Sequence, residues 1–424
     1  MRKRLLQILS IALLGTAAAT AQDAKPADGF RFVGQAIMRT EFDGRDFNNE
    51  TYMPNSSVSR LRFGVEKGIY KDVTGVFQVQ DSRLIGNSDA TLNKFFVQSA
   101  YLKFDNFLTD GLWLQVGRFP VDYGSRRWIG SSGWTYDAAG TKDGLRLGYK
   151  ADKMIIDGFA TLAKTNSVYV KKGNPASYPS YATESMKSSV CGLWGHFILT
   201  RSHDFGVLIM NEADGSTDLM RNTIGVDYNY KYNDFSANVN AAYQFGSYTE
   251  DVDIAAYDLN LQAAYNFKPV KLALALGMTS GAEAGDDKYK NFSYAQGAMH
   301  NHFGLMDYFP NTFNGAINPG LNDIKFTVDY RPEGSKCYLT GDFHYFMAAT
   351  DYTMKNGETS KNLGEEIDLR LGYKFMPKAV LELGACAFLP TDVMKDRYEA
   401  ETANGYLKRE DTSFFSYLQL KIDL

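Results

Sequence analysis

Three groups of residues in this chain have the types and spacing to do chemistry. The first is a set of arginines. Arg60 and Arg62 flank Leu61, Arg31 and Arg39 share a period-two face with Gln35, and Arg146 lies between Leu145 and Leu147. Arg118, Arg126 and Arg127 gather around one long connection, with Asp143 opening the strand that follows it. Cations lining a narrow wet passage between low-dielectric walls set up a focused positive potential that attracts anions. The competing reading makes each of them a wall residue paired with an acidic neighbour across strands. The second group is Asp342 and His344, which share a strand face as an acid–base pair would and are also candidates for a channel lining. The third is His300-x-His302 with the acidic residues Glu283, Asp286 and Asp287 nearby. Its five-histidine background is scattered, no nucleophile motif accompanies it, and the regular calcium-loop spacing is missing. No catalytic residue, cofactor or metal site is therefore assigned, and the chain reads as a non-enzyme.

The elements that must position these residues are strands. From Thr412 to Leu424 the chain alternates Phe414, Leu418, Leu420, Ile422 and Leu424 on one side with Phe415, Tyr417, Gln419, Lys421 and Asp423 on the other. A period of two is a β-strand whose faces meet different solvents. Eighteen such runs follow Phe30, at about 31–40, 57–67, 72–82, 95–105, 111–119, 143–151, 154–164, 189–199, 203–211, 221–231, 234–246, 253–267, 269–279, 322–331, 335–347, 364–375, 379–389 and 412–424. The connections alternate in length. Gaps 41–56, 83–94, 120–142, 165–188, 280–321, 348–363 and 390–411 are long, whereas Asn233-Asp234, Lys268-Pro269, Pro332-Glu333-Gly334 and Met376-Pro377-Lys378 are tight turns. Loops sorted by parity belong to a transmembrane barrel with short periplasmic turns and long extracellular loops, not to a sandwich or propeller.

Aromatic residues at the short-turn ends share the apolar face: Tyr149, Tyr228, Tyr230, Tyr265, Phe267, Tyr330, Tyr373 and Phe375. Amphipathic rings at strand ends form an interfacial girdle. The opposite face is polar, as in Asp258, Asn260 and Gln262 or Glu366, Asp368 and Arg370, and so faces something wet. Eighteen strands enclose an aqueous lumen.

Export is written at the start. Arg2, Lys3 and Arg4 precede the apolar run Leu5–Leu14 and the small-residue stretch Ala19-Thr20-Ala21, the pattern of a signal peptide occupying residues 1–21, with residues 22–424 forming one barrel. Elsewhere no segment approaches the length of an apolar spanning helix. Mean hydropathy is −0.31, which a barrel reconciles with membrane residence because its apolar groups are interleaved with polar ones. Loss of residues 1–21 moves the formal charge from −4 to −7, so overall charge does not indicate a polyanion binder, and no basic patch interleaved with aromatics suggests nucleic acid. Cys191, Cys337 and Cys386 are far apart, inside strand-like runs, and read as small apolar fillers.

The run Gly117-Arg118-Phe119-Pro120-Val121-Asp122-Tyr123-Gly124-Ser125-Arg126-Arg127-Trp128-Ile129-Gly130, then Trp134, then Asp143-Gly144-Leu145-Arg146-Leu147, resembles the signature of alginate-export-type outer-membrane porins. So do Gly304-Leu305-Met306-Asp307-Tyr308, Gly320-Leu321-Asn322-Asp323, Asp342-Phe343-His344-Tyr345-Phe346 and Gly364-Glu365-Glu366-Ile367-Asp368. The resemblance implies an eighteen-stranded barrel in the outer membrane of a Gram-negative cell, with an arginine-lined constriction for an anionic polysaccharide.

Parity then orients the candidates. Arg60, Arg62 and Arg146 oppose apolar neighbours and point inward, because a lipid-facing arginine near mid-membrane costs about 2–4 kcal/mol. Arg118 shares parity with Leu112, Leu114 and Val116 unless the strand ends or bulges there, and is read as a rim or loop residue among the channel-lining candidates; Arg126 and Arg127 lie in a loop that can fold inward. Expected partners are outer-membrane lipid and small or oligomeric anionic or sugar-like solutes, for a monomeric or trimeric barrel. The alternative is a barrel plugged by the 42-residue segment 280–321, with a binding, structural or hydrolytic role.

Overall fold

In lipid every backbone N–H and C=O must be paired within the protein, so alternating strands survive there only as a closed sheet. The structure, a computed structural model, describes residues 29–48, 55–86, 93–131, 140–161, 188–215, 217–283, 285–300, 302–309, 318–402, 405–407 and 411–424. Eighteen long strands build the wall: β1 Arg31–Gly44, β2 Asn55–Tyr70, β3 Val73–Ile85, β4 Lys94–Asp105, β5 Leu112–Pro120, β6 Thr141–Ala151, β7 Met154–Thr161, β8 Ser188–Ile198 and β9 His203–Asp214. The second half comprises β10 Leu219–Tyr232, β11 Phe235–Ser247, β12 Asp253–Asn266, β13 Val270–Thr279, β14 Leu321–Tyr330, β15 Cys337–Thr353, β16 Thr359–Met376, β17 Ala379–Pro390 and β18 Ser413–Asp423. Each pairs antiparallel with its neighbour, and β1 pairs with β18 from Gln35–Asp423 to Gly44–Phe414. Leu424 N–H adds a bond to Gly34 C=O at the seam. No edge is left open.

The two faces separate cleanly. On β16, Leu369 and Leu371 are 48% and 49% exposed, whereas Glu366 and Asp368 are 0% and 1% exposed. Tyr149, Tyr265, Phe267, Tyr330 and Tyr373 lie exposed on the apolar parity at the short-turn rim, where the girdle belongs. The seven-residue helix Asp392–Tyr398, the two-residue strand Lys288–Tyr289 and the small hairpin Ala400–Thr402 with Gly405–Leu407 lie in the long connections, which carry no period-two signal.

One long connection is shorter than its sequence suggests. β15 and β16 extend toward each other, so the gap 348–363 reduces to the turn 354–358, closed by Met354 N–H on Glu358 C=O and Gly357 N–H on Met354 C=O. Polar residues such as Asp351 and Thr359 continue the strands above the apolar belt. Hydrophobic alternation fades there, but backbone pairing does not. The signal segment 1–21, Trp134, Asn174 and Phe313 lie outside the described residues.

The buried core is inside the barrel. Inward aromatics Phe159, Trp194, Phe346, Phe388 and Phe415 pack with Phe47, Tyr123, Trp128, Phe303, Met306 and Tyr308, which belong to long connections. A lumen of this circumference exceeds what wall side chains alone can fill. Trp128 packs against β10 at Gly225, where an added Cβ would come within 2.5 Å of the ring.

Purified mature protein in detergent should give a β-dominated circular dichroism spectrum and heat-modifiable gel mobility. With the native cysteines replaced, G357C should react with a membrane-impermeant thiol reagent on whole cells, and G334C in the turn Pro332-Glu333-Gly334 should not. A helical spectrum would overturn the barrel; reversed labelling would invert its rims.

Candidate functional site

Alternation places Arg31, Arg39, Arg60, Arg62 and Arg146 on the face opposite the exposed apolar residues. Arg60 is 3% exposed on the same face as buried Val58, whereas its neighbour Leu61 is 50% exposed on the other. What distinguishes these arginines is what each one binds. Arg31 pairs with Glu66 directly across the β1–β2 ladder. Arg39 meets Glu41 at 2.8 Å, with its guanidinium 3.8 Å from the Tyr417 ring centre. Arg146 pairs with Asp157 and lies 5.2 Å from the Trp113 ring. Arg60 instead donates to the Gln35 amide oxygen, and Arg62 Nε donates to Gln80 Oε1 at 2.6 Å. Gln80 Nε2 in turn donates to Ser82 Oγ at 2.9 Å. Arg62 forms no ion pair among the described residues, and its Nη2 is buried without a partner.

Arg126 and Arg127 sit in the connection after β5, which does fold inward. Arg126 meets Asp122 at 3.3 Å. Arg127, 1% exposed, grips Asp258 of β12 with Nε at 2.6 Å and Nη2 at 2.9 Å. Trp128 Nε1 and Tyr294 OH donate to the same carboxylate, both at 2.7 Å. Burial opposes the Arg127 charge, but Asp258 outweighs it and holds the guanidinium more firmly protonated than usual; burial, then Asp258, pushes the Tyr294 phenol up. Deleting one partner of such a buried pair costs about 3–5 kcal/mol, because the other charge is left without compensation.

The segment between β13 and β14 is held inside the barrel at further places. Ser293 and Gln244 exchange two hydrogen bonds, at 2.8 and 2.9 Å. Beyond it, Leu305 N–H donates to Asp368 Oδ2 at 3.0 Å and Met306 N–H to Glu366 Oε1 at 2.9 Å. Gly304, at φ +83°, lies so close that an added Cβ would overlap the Glu366 carboxylate. Arg45 Nη1 donates to Met306 C=O at 3.1 Å, and the Tyr308 hydroxyl lies 2.6 Å from Ser413 Oγ.

Two candidates leave the lining. Arg118 and Asp143 form a bidentate pair, both contacts 2.7 Å, on the parity of Val116 and Leu145. They face outward at the upper end of β5 and β6 and therefore do not line the lumen. The ladder runs unbroken through Val116–Leu145, Gly117–Gly144 and Arg118–Asp143, so no bulge turns Arg118 inward.

Asp342 and His344 do face inward, but they are not an acid–base pair. Asp342 takes Thr327 at 2.5 Å, Arg370 at 2.9 Å and Lys325 at 3.6 Å. His344 turns to Asp323, with Nδ1 3.0 Å from each carboxylate oxygen. His300 meets Asp307 at 2.7 Å, while burial, helped by Arg127 and Lys325, holds His302 down to about 3. The two rings thus have unrelated settings, and among the described residues no three His, Cys, Asp or Glu groups converge on a metal site. Asp286 pairs with Lys290 in solvent-exposed chain.

Sequence reading missed the partners Asp258, Glu366, Asp368 and Tyr294 as anchors of the inserted segments. Inward parity was visible for the three acids. Their contacts with loop residues 36 to 131 positions away carry no local signal.

A model of the alginate export family matches residues 32–405. No curated protein sequence matches the chain. Similar solved structures include the outer membrane protein OprD of Pseudomonas aeruginosa, at 12% identity and TM-score 0.59, covering 94% of this chain and 96% of that one. Pseudomonas aeruginosa OpdK with vanillate gives 12% identity and TM-score 0.58 over 93% and 100% of the two chains. Acinetobacter baumannii OccAB1 gives 11% and 0.59 over 93% and 96%. Those likenesses are of fold, and the fold is the closed antiparallel barrel described above. With the family model spanning nearly all eighteen strands, this chain belongs to the alginate export family of porin-like outer-membrane channels.

Proposed function

We propose that the barrel passes anionic or sugar-like solutes through a lumen whose selectivity is set by Arg60 and Arg62 and whose width is set by the inserted segment. The observation that carries this reading is the partner of Arg62. Arg31, Arg39, Arg126, Arg127 and Arg146 each face a carboxylate at ion-pair distance, which cancels most of their field. Arg62 is held by an amide that orients it without neutralising it. A guanidinium so held keeps its charge available to an anionic solute. Gln35, Gln80 and Ser82 alongside supply donors and acceptors of the kind that hydroxyl groups use. The families this chain resembles are channels and not enzymes, and a carboxylate solute, vanillate, accompanies one similar barrel.

In planar bilayers under a salt gradient, wild-type protein should prefer anions. Replacing Arg60 and Arg62 with Gln should move the reversal potential toward cations, lowering the anion-to-cation permeability ratio on the order of fivefold. Arg118→Gln on the outer wall should leave it unchanged. A cation-selective wild type would refute the anion channel, and an unmoved double variant would show that these arginines do not set selectivity.

A second prediction concerns width. G304A forces a Cβ into the Glu366 carboxylate and places an L-residue at positive φ, which costs about 1–2 kcal/mol before the overlap is counted. The Leu305–Met306 contact should release, raising single-channel conductance and protease cleavage of the segment without altering the strand spectrum. Glu366→Gln keeps an oxygen for the Met306 N–H and should change both much less. Equal conductance and protection in G304A and wild type would mean the segment is not held there.

A further inference from the structure

Among the described residues, eight other than glycine adopt a positive φ, and seven of them are polar or charged. Asp72, Asn106, Asp218 and Asn233 lie in turns, where a short side chain that bonds its local backbone tolerates the left-handed region. Phe47, at φ +58°, is the exception. A bulky ring is strained there and persists only where its surroundings over-determine it. Phe47 has such surroundings, being 0% exposed in the connection that follows β1.

Three rings hold it. Tyr308 stacks on Phe47 at 4.9 Å between centroids, Tyr398 meets it at 4.8 Å, and Phe388 closes edge-on at 5.7 Å. Phe388 belongs to β17, Tyr308 to the segment between β13 and β14, and Tyr398 ends the short helix between β17 and β18. Polar contacts repeat the same triangle. Phe47 C=O accepts Asp411 N–H at 3.1 Å, from the connection that carries the helix. Arg45 C=O accepts the Tyr308 hydroxyl at 3.0 Å, and Arg45 Nη1 donates to Met306 C=O at 3.1 Å. Asp43 fixes that guanidinium with bonds of 2.9 and 2.6 Å, and the Phe415 ring lies 4.4 Å from it. Three connections of the long-loop rim therefore meet on one strained residue, beside the seam where β1 and β18 close the barrel.

Strain and contact act in opposite directions here. While the three connections are together, the ring contacts outweigh the cost of the left-handed backbone. Once they part, residue 47 returns to an ordinary conformation, and nothing draws it back until all its partners are in place. Such an arrangement has two states and not a continuum. We propose that Phe47 is the keystone of an extracellular gate: it locks the β1–β2, β13–β14 and β17–β18 connections together over the lumen, and its release lets them part as a unit. This goes beyond the selectivity proposed for Arg60 and Arg62. Opening and ion preference are read by different measurements, and either can fail alone.

Single-channel recording in planar bilayers, with potassium chloride as the only electrolyte, tests it. Wild type should dwell in a low-conductance level between openings. F47A removes the ring but leaves an L-residue in the strained conformation, and should shorten those closed dwells about tenfold. F47G removes ring and strain together, so its closed dwells should fall between those of F47A and wild type. Y398A should shorten them too, and F47A/Y398A little further than F47A alone, because the two side chains act as a unit. Reversal potential in a salt gradient should stay at the wild-type value throughout, which separates gating from selectivity. Should F47A lose heat-modifiable mobility, Y398A is read with the same expectation. A wild type without a closed level, closed dwells in the folded variant equal to those of wild type, or F47G dwells shorter than those of F47A would overturn the proposal.

Discussion

Everything in this molecule follows from the impossibility of leaving a peptide group unpaired in hydrocarbon. The β1–β18 ladder from Gln35–Asp423 to Gly44–Phe414 meets that demand by closing the sheet. Closure divides every strand into a lipid face and an interior face and removes any freedom of register, since a one-residue slip would turn Glu366 and Asp368 into the bilayer and Leu369 into the lumen. It also creates an interior wider than wall side chains can fill. The aromatic core inside the barrel, with Phe303, Met306 and Tyr308 delivered by connections to meet Phe346 and Phe388, is the consequence.

Filling the interior with chain brings back the problem that closure solved. Inserted segments carry their own peptide groups and charges away from water. The wall satisfies them with acids. Asp258 accepts from Arg127, Trp128 and Tyr294, while Asp368 and Glu366 take the consecutive N–H groups of Leu305 and Met306. Carboxylates suit this task because each offers two oxygens and several lone-pair directions, and bonds to a charged acceptor are the stronger ones.

How much of this was legible in the sequence follows the range of the interaction. Strands rest on neighbours one and two residues away, so all eighteen were readable. Their errors fall at the ends, as where β15 and β16 run past the apolar belt to Thr353 and Thr359 and backbone pairing outlasts the hydrophobic pattern. The inward face of Arg60 and Arg62 was equally local. Arg118 shows the limit: its outward parity was plain, but its partner Asp143 lies 25 residues on, and only the β5–β6 register shows that the pair needs no lumen. The Asp342–His344 pair fails for a similar reason. Two residues on one strand face share a side, yet each found a nearer partner on β14, Thr327 for Asp342 and Asp323 for His344. For the anchors of the inserted segments only the inward parity of the acids was visible, since their partners are far away in sequence.

The same accounting explains how a chain of formal charge −4 can keep an uncancelled positive group on its inner wall. Net charge counts every carboxylate equally, but the interior acids are already engaged: Asp258 by Arg127, Asp157 by Arg146, Glu66 by Arg31, and Glu366 and Asp368 by peptide N–H groups. Acids in exposed loops, such as Asp286 beside Lys290, are screened within about 8–10 Å at physiological salt. In the proposed channel a solute meets the remainder, and the charge at Arg62, oriented by Gln80 and matched by no carboxylate at bonding distance among the described residues, belongs to it. Placing an amide where a carboxylate would otherwise sit is therefore the smallest change of sequence that turns a structural arginine into one that can act on what passes.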